Sequence, residues 1–150
     1  MEIRRNHILE DSLSYLSNEC IVQELKQKFL KVIFVNEPAI DEGGVKKEFF
    51  RLLLIELFNP MYDIFMYNSD NRLYYFNGKS FELTHYFELI GTLMALAPQN
   101  QVILDIPIIS TCYKILLDQK IDLEDLKEWQ PDVYQSFKYI LNYKDEDTLE

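Results

Sequence analysis

Apolar positions along this 150-residue chain recur mostly with a helical period, interrupted by a few short extended runs. In residues 6–18, Ile8, Leu9, Leu13 and Leu16 fall near one face and Glu10, Asp11 and Ser14 lie opposite, the pattern of an amphipathic helix. Residues 19–27 are ambiguous and leave room for one more turn. Lys28–Val35, KFLKVIFV, is β-branched and aromatic, which suits a strand. Apart from Lys31 it is apolar on both faces, so it is expected to be covered on both sides. Further on, Val45, Phe49, Leu52 and Leu53 stack on one helical face, Leu57 extends it, and Asn59-Pro60 ends it, because the residue before a proline is pushed out of the α region.

The middle of the chain changes period. YDIFMY (62–67) and RLYYF (72–76) alternate as short strands around Asn68-Ser69-Asp70-Asn71, a hairpin signal. Residues 81–97 return to a helical pattern, with Leu83, Phe87, Ile90, Met94 and Ala97 as the stripe and Pro98 as the stop. Gly91 beside that stripe suggests close approach of another element. VILDIP (102–107) reads as a short extended piece. Pro107 is suited to the first position of a helix whose buried face is Ile109, Cys112, Tyr113, Leu116 and Leu117. Asp122 is a good N-cap, and Pro131 opens a last helix with Val133, Tyr134, Phe137, Ile140 and Leu141 inward. The acidic tail 144–150, KDEDTLE, is expected to be disordered. These elements predict an α+β fold, mostly α, in a single domain over 1–150 with a few short strands and one hairpin.

Composition narrows what such a domain can do. Apolar residues make up 48% and aromatic residues 14%, enough for a core. The formal net charge of −10 repels phosphate backbones and anionic membrane surfaces, so nucleic acid and membrane are not expected partners, while binding to a basic protein surface stays open. Two cysteines without a CxxC pair and two histidines show no zinc spacing, so no metal or cofactor is expected and a reducing, cytoplasmic location is. No signal-peptide pattern and no apolar run long enough to span a bilayer is present.

The stretch DEGGVKKEFF (41–50) raises the one motif question. A phosphate cradle needs glycine-rich backbone N–H groups and a lysine at fixed spacing. Lys46 and Lys47 follow Gly44, but the spacing is absent and Asp41-Glu42 would repel phosphate. A calcium loop needs acids at alternating positions, and only Asp41, Glu42 and Glu48 are available. The favoured reading is a structural turn at Gly43 and Gly44 that requires positive φ and leads straight into a helix; Gly44 is a position where that φ could fall. Cys112, on an apolar helix face, reads as an inert buried thiol, and Cys20 follows Glu19, so neither is expected to be catalytic. Tyr74, Tyr75 and Phe76 cannot all face one core in a strand: either Tyr75 points outward as a binding anchor or the strand is covered on both faces.

RRNHILEDSL, KFLKVIFVNEPAIDEGGVKKEFFRLLLIELFNP, LYYFN, FELIGTLMALA, ILDIP and DLKEWQPDVYQSF occur in the order seen in HECT-type ubiquitin ligases, and the chain resembles that family over nearly its whole length. The resemblance implies the large subdomain of the N-terminal lobe, with the double glycine as the turn between a strand and a long helix. It departs from the family pattern at Ala97-Pro98-Gln99-Asn100, where a tyrosine is missing and Pro98 added, and at Thr92, where arginine is frequent.

What the resemblance implies about function is a ubiquitin-protein ligase that accepts ubiquitin as a cysteine thioester from a conjugating enzyme and passes it to substrate lysines. The docking subdomain for that enzyme and the catalytic cysteine are expected outside this chain, which would be inactive alone and serve as scaffold. Implied partners are ubiquitin, the conjugating enzyme and protein substrates; Arg72 and Tyr74 are the ubiquitin-binding candidates. The alternative is a non-catalytic adaptor that binds ubiquitin or another protein.

Overall fold

The computed structural model describes residues 1–37, 43–80 and 84–143, and it is mostly helical with a few short strands. The tail 144–150, the acids Asp41-Glu42 and Leu83 lie outside the described residues. The chain divides into two compact units, one formed by Met1–Phe65 with Asn77–Ile106, the other by Met66–Phe76 with the residues from Pro107 onward.

In the first unit, β1 (Glu2–Ile3) pairs in parallel with β2 (Ile33–Phe34), Glu2 opposite Ile33 and Ile3 opposite Phe34. The register is closed by Ile33 N–H donating to the Met1 carbonyl at 2.9 Å and Val35 N–H to that of Ile3 at 3.0 Å. The expected strand over Lys28–Val35 is thus only two residues long. It is also covered on one face, not both: Leu30, Val32 and Phe34 are buried while Phe29, Ile33 and Val35 are exposed, the alternation that period two imposes on a one-sided sheet.

A 3₁₀ turn at Arg5–His7 leads into α1 (Ile8–Leu16), which buries Ile8, Leu9, Ser12 and Leu16. The ambiguous stretch becomes α2 (Glu19–Leu25), capped by the Asn18 side chain, which accepts from Cys20 N–H. α3 (Gly44–Leu57) buries Phe49, Phe50, Leu53 and Leu57, with the rings of Phe49 and Phe50 edge to face at 5.5 Å. α1 packs on α3 and on α4 (Thr84–Gln99), and α3 also touches α4. Asn59 caps a 3₁₀ turn at Pro60–Tyr62, with the proline in its first position.

α4 corrects three expectations. Its buried side is Leu89, Ile90, Leu93, Leu96 and Ala97, rotated from the Phe87/Met94 line. Gly91 faces solvent, and a Cβ placed there would meet nothing within 4 Å, so it marks no close packing. Pro98 does not stop the helix but sits in its last turn. The helix ends one residue later, at Gln99, and a left-handed cap follows: Gln101 has φ 59°, its N–H donates to the Pro98 carbonyl at 3.0 Å, and Val102 N–H donates to that of Ala97 at 2.9 Å.

The second unit is built on a hairpin. β3 (Phe65–Asn68) pairs with β4 (Leu73–Phe76), and all but Phe65 belong to this unit. An extended segment runs beside β4: Tyr74 N–H donates to the Pro107 carbonyl at 2.7 Å and Ile109 N–H to that of Tyr74 at 3.1 Å. Pro107 therefore belongs to a strand-like contact, and α5 (Ser110–Leu116) begins three residues later. Asp122 caps a 3₁₀ turn at Leu123–Asp125 in a capping box with Asp125, followed by α6 (Leu126–Trp129) and α7 (Pro131–Asn142), which pack on each other.

Two predicted buried faces are exposed. On α5, Ile109, Thr111 and Cys112 are buried, but Leu116 and Leu117 are 61% and 67% exposed and Tyr113 is exposed as well. On α7, Tyr134 is buried, while Val133, Phe137, Ile140 and Leu141 are exposed. The helical period was correct in both helices; which part of an apolar stripe finds a neighbour is a tertiary property that periodicity does not carry.

Candidate functional site, the hairpin of the second unit

The hairpin turn is held by its own asparagines. Asn68 Oδ1 accepts from Asp70 N–H at 2.9 Å and Asn71 Oδ1 from Leu73 N–H at 3.0 Å, two turns in which an amide side chain mimics backbone. The same side chains reach across to the end of α6: Asn68 Nδ2 donates to the Trp129 carbonyl at 2.8 Å, and Asn71 Nδ2 donates to that of Glu128. Glu128 in turn accepts from Ser110 N–H at 2.8 Å and from the Ser110 hydroxyl at 2.6 Å, placing a carboxylate at the start of α5. Hairpin, α5 and α6 are thereby one hydrogen-bonded assembly.

Arg72 closes the turn in the left-handed region, φ 60°, with its N–H donating to the Asn68 carbonyl at 2.9 Å. Its guanidinium is at an exposed position at the hairpin tip. Tyr74, two residues on, stands against Tyr67 with ring centroids 4.8 Å apart. Tyr67 is itself 53% exposed, so this pair forms an accessible aromatic surface. Tyr75 packs against Trp129 at 5.5 Å. Of the two alternatives for this strand, the covered one holds: both sides of β4 carry ring contacts, and all four residues are half-buried. A groove of about 450 Å³ beside Tyr75 and Trp129 is lined by Ile109, Ile115 and Leu126 and by Asp125. The Lys114 ammonium, 2.5 Å from Asp125 Oδ1, holds that carboxyl below its usual range.

Gly43 and Gly44 belong to the first unit. Positive φ falls on Gly43, at 98°, while Gly44 is already the first residue of α3. The turn's conformational demand is therefore carried by Gly43, and the position weighed for it at Gly44 is helical. Cys112 is 1% exposed, and burial pushes its thiol up to about 11, the opposite of activation. Cys20 is exposed near the start of α2. His85 rests on the ring of Tyr86 at 4.8 Å, and His7 Nδ1 lies 3.1 Å from Glu10 Oε2. The surface built by the hairpin is thus one of aromatic rings, amides and a cation, suited to recognition. Sequence reasoning missed Trp129 and the clamp made by Asn68 and Asn71; the signal was the Asn-x-x-Asn spacing across the turn, since asparagine is the residue that mimics backbone there.

Among the described residues no helix is long and apolar enough to cross a membrane. The HECT-domain (ubiquitin-transferase) family matches residues 51–150. The chain is 43% identical over 148 residues to the probable E3 ubiquitin-protein ligase HERC4 of Homo sapiens and 43% identical over 150 residues to the human probable E3 ubiquitin-protein ligase HERC3, spanning 99% and 100% of this chain and 14% of each relative. It is 34% identical over 146 residues to the E3 ubiquitin-protein ligase pub1 of Schizosaccharomyces pombe, covering 95% of this chain and 19% of that protein. With the family matched across two thirds of its residues and close relatives aligned along its whole length, the chain belongs to the HECT-domain (ubiquitin-transferase) family.

Proposed function

We propose that these 150 residues are the scaffold part, the large N-lobe subdomain, of an intracellular, cytoplasmic ubiquitin-protein ligase. The observation that carries this reading is the 43% identity to a probable ubiquitin ligase along 99% of the chain. In the reaction, a cysteine thiolate attacks the thioester carbonyl carbon joining ubiquitin to its conjugating enzyme. A new C–S bond forms, the old one breaks, and the enzyme's thiolate leaves. A substrate lysine amine then attacks the same carbon, an amide bond forms, the ligase thiolate is released, and the amine's proton passes to solvent or a base. The nucleophile of this scheme is outside the chain. Burial of Cys112 and the elevated thiol that burial produces support that placement.

The accessible Tyr67–Tyr74 pair and Arg72 at the hairpin tip are the residues assigned to ubiquitin contact. Their arrangement favours this over the adaptor reading only together with transfer chemistry elsewhere, so the deciding test is a thioester assay. Conjugating enzyme charged with ubiquitin is mixed with this chain, and separately with the chain plus the C-terminal continuation of the longer protein, and resolved without reductant. A thiol-sensitive ubiquitin adduct on the longer protein alone is the expected result. No adduct on either favours the adaptor, and an adduct on the 150-residue chain would relocate the nucleophile to Cys20 or Cys112. Titration of labelled ubiquitin against Arg72→Ala and Tyr74→Ala tests the contact surface separately; unchanged affinity in both would remove it.

A further inference from the structure

The left-handed cap at Gln101 does more than end α4. It sends the chain out so that Val102 is buried and the next residue, Ile103, is 98% exposed. A free isoleucine on a loop is ordinary. Here it is accompanied by three further features, all within the first unit.

A groove of about 560 Å³ runs between residues 101–105 and one face of α3. Its floor is apolar, Phe50 and Leu54, with Ile55 at the rim. Among the described residues, no hydrogen bond engages the backbone of Ile103, Leu104 or Asp105, so the N–H and C=O groups along one wall of the groove have no protein partner. The opposite wall carries Lys47 and Arg51, one helical turn apart, and no ion pair within 4 Å holds either among the described residues. In a chain of net charge −10, two unpaired cations lining a groove with an apolar floor are a local reversal of sign.

We propose that this groove docks an extended segment of a partner protein that pairs with the backbone of Ile103–Asp105 and carries acidic residues toward Lys47 and Arg51. The free edge supplies main-chain hydrogen bonds, and the pleat of an added strand sends alternate side chains into the groove and out. Those facing in meet Leu54 and Ile55, which lie over the fully buried Phe50, and must be apolar. Asp105 lines the same groove and excludes an acid beside itself, which sets which end of the segment bears the charge. The site is distinct from the hairpin surface and does not depend on ubiquitin transfer.

The test uses this chain and two short dye-labelled peptides, one alternating valine and glutamate, the other valine and lysine, read by fluorescence anisotropy. The glutamate peptide is expected to bind saturably, to weaken as salt is raised, and to shift the amide resonances of Ile103–Asp105; the lysine peptide is expected to bind about tenfold more weakly or not at all. The paired charge reversal Lys47→Glu with Arg51→Glu should lower affinity for the glutamate peptide by about tenfold or more with unchanged melting, because both residues are at the surface. Ile103→Asp should do the same. Equal binding of both peptides, or amide shifts confined to other residues, would overturn the proposal. So would self-association of the chain through Ile103, or loss of binding in the longer protein; in the latter case a segment of the same polypeptide already fills the groove.

Discussion

Leu30 N–H donates to Asn100 Oδ1 at 2.7 Å, a buried hydrogen bond between residues 70 apart in sequence. The Asn100 amide also donates from Nδ2 to the Leu96 carbonyl at 2.8 Å. One side chain thus satisfies the end of α4 and the strand-like segment before β2 together. Its two bonds tie the C-terminal end of α4 to the segment that leads into β2.

Asn100→Ala would leave the Leu30 amide buried without a partner. An unmet buried donor costs about 1–3 kcal/mol, and the loss is expected in that range, read from the urea midpoint of the variant. A change under about 0.5 kcal/mol would show that water replaces the amide.

The double glycine gives a paired prediction. Gly43→Val places a β-branched residue at φ 98° and should destabilise by about 1–3 kcal/mol. Gly44 is in the helical region, and a Cβ there meets nothing within 4 Å. Gly44→Ala should leave stability unchanged or raise it by about 0.5 kcal/mol. Melting curves of the two variants distinguish the positions; the reverse order would move the turn's strain to Gly44.

Cys112 and Cys20 should separate in reactivity. With its thiol buried and pushed up to about 11, Cys112 is expected to alkylate slowly with iodoacetamide at neutral pH, whereas exposed Cys20 is labelled readily. Peptide mass spectrometry over time reads both. Fast labelling of Cys112 in the folded chain would contradict its place in the core.

Acid should weaken the first unit through Asp11. Its carboxylate accepts from Arg4 Nη2 at 2.6 Å, Nε at 3.1 Å and the backbone N–H at 2.8 Å, and the Arg4 guanidinium holds it down to about 2. A carboxyl whose folded value lies below its unfolded one contributes stability that is complete above the unfolded value, near 4, and lost as pH falls toward the folded value. The contribution should therefore fade from about pH 4 to about pH 2. In Arg4→Met the carboxyl returns toward its usual range and this acid-dependent loss should shrink. Urea midpoints measured across that range for both proteins check it; parallel curves would mean the pair contributes nothing.

The sequence by itself determined the type of most elements, because type depends on neighbours within a few residues, though not the extent of β2 or the ends of α4 and α5. The periods of α1, α3 and α7, the Asn59-Pro60 break, the Asp122 cap and the hairpin around Asn68–Asn71 were all legible in this way. Tertiary structure decided what such local signals do not contain. Pro98 was accommodated inside α4 because a proline in the final turn removes a single N–H and the cap beyond it satisfies the carbonyls of Ala97 and Pro98. Leu116, Leu117, Ile140 and Leu141 stayed exposed because burial requires a neighbour, and periodicity announces only a face. The groove between α3 and Ile103 arises where segments distant in sequence meet, so neither side of it predicts the other.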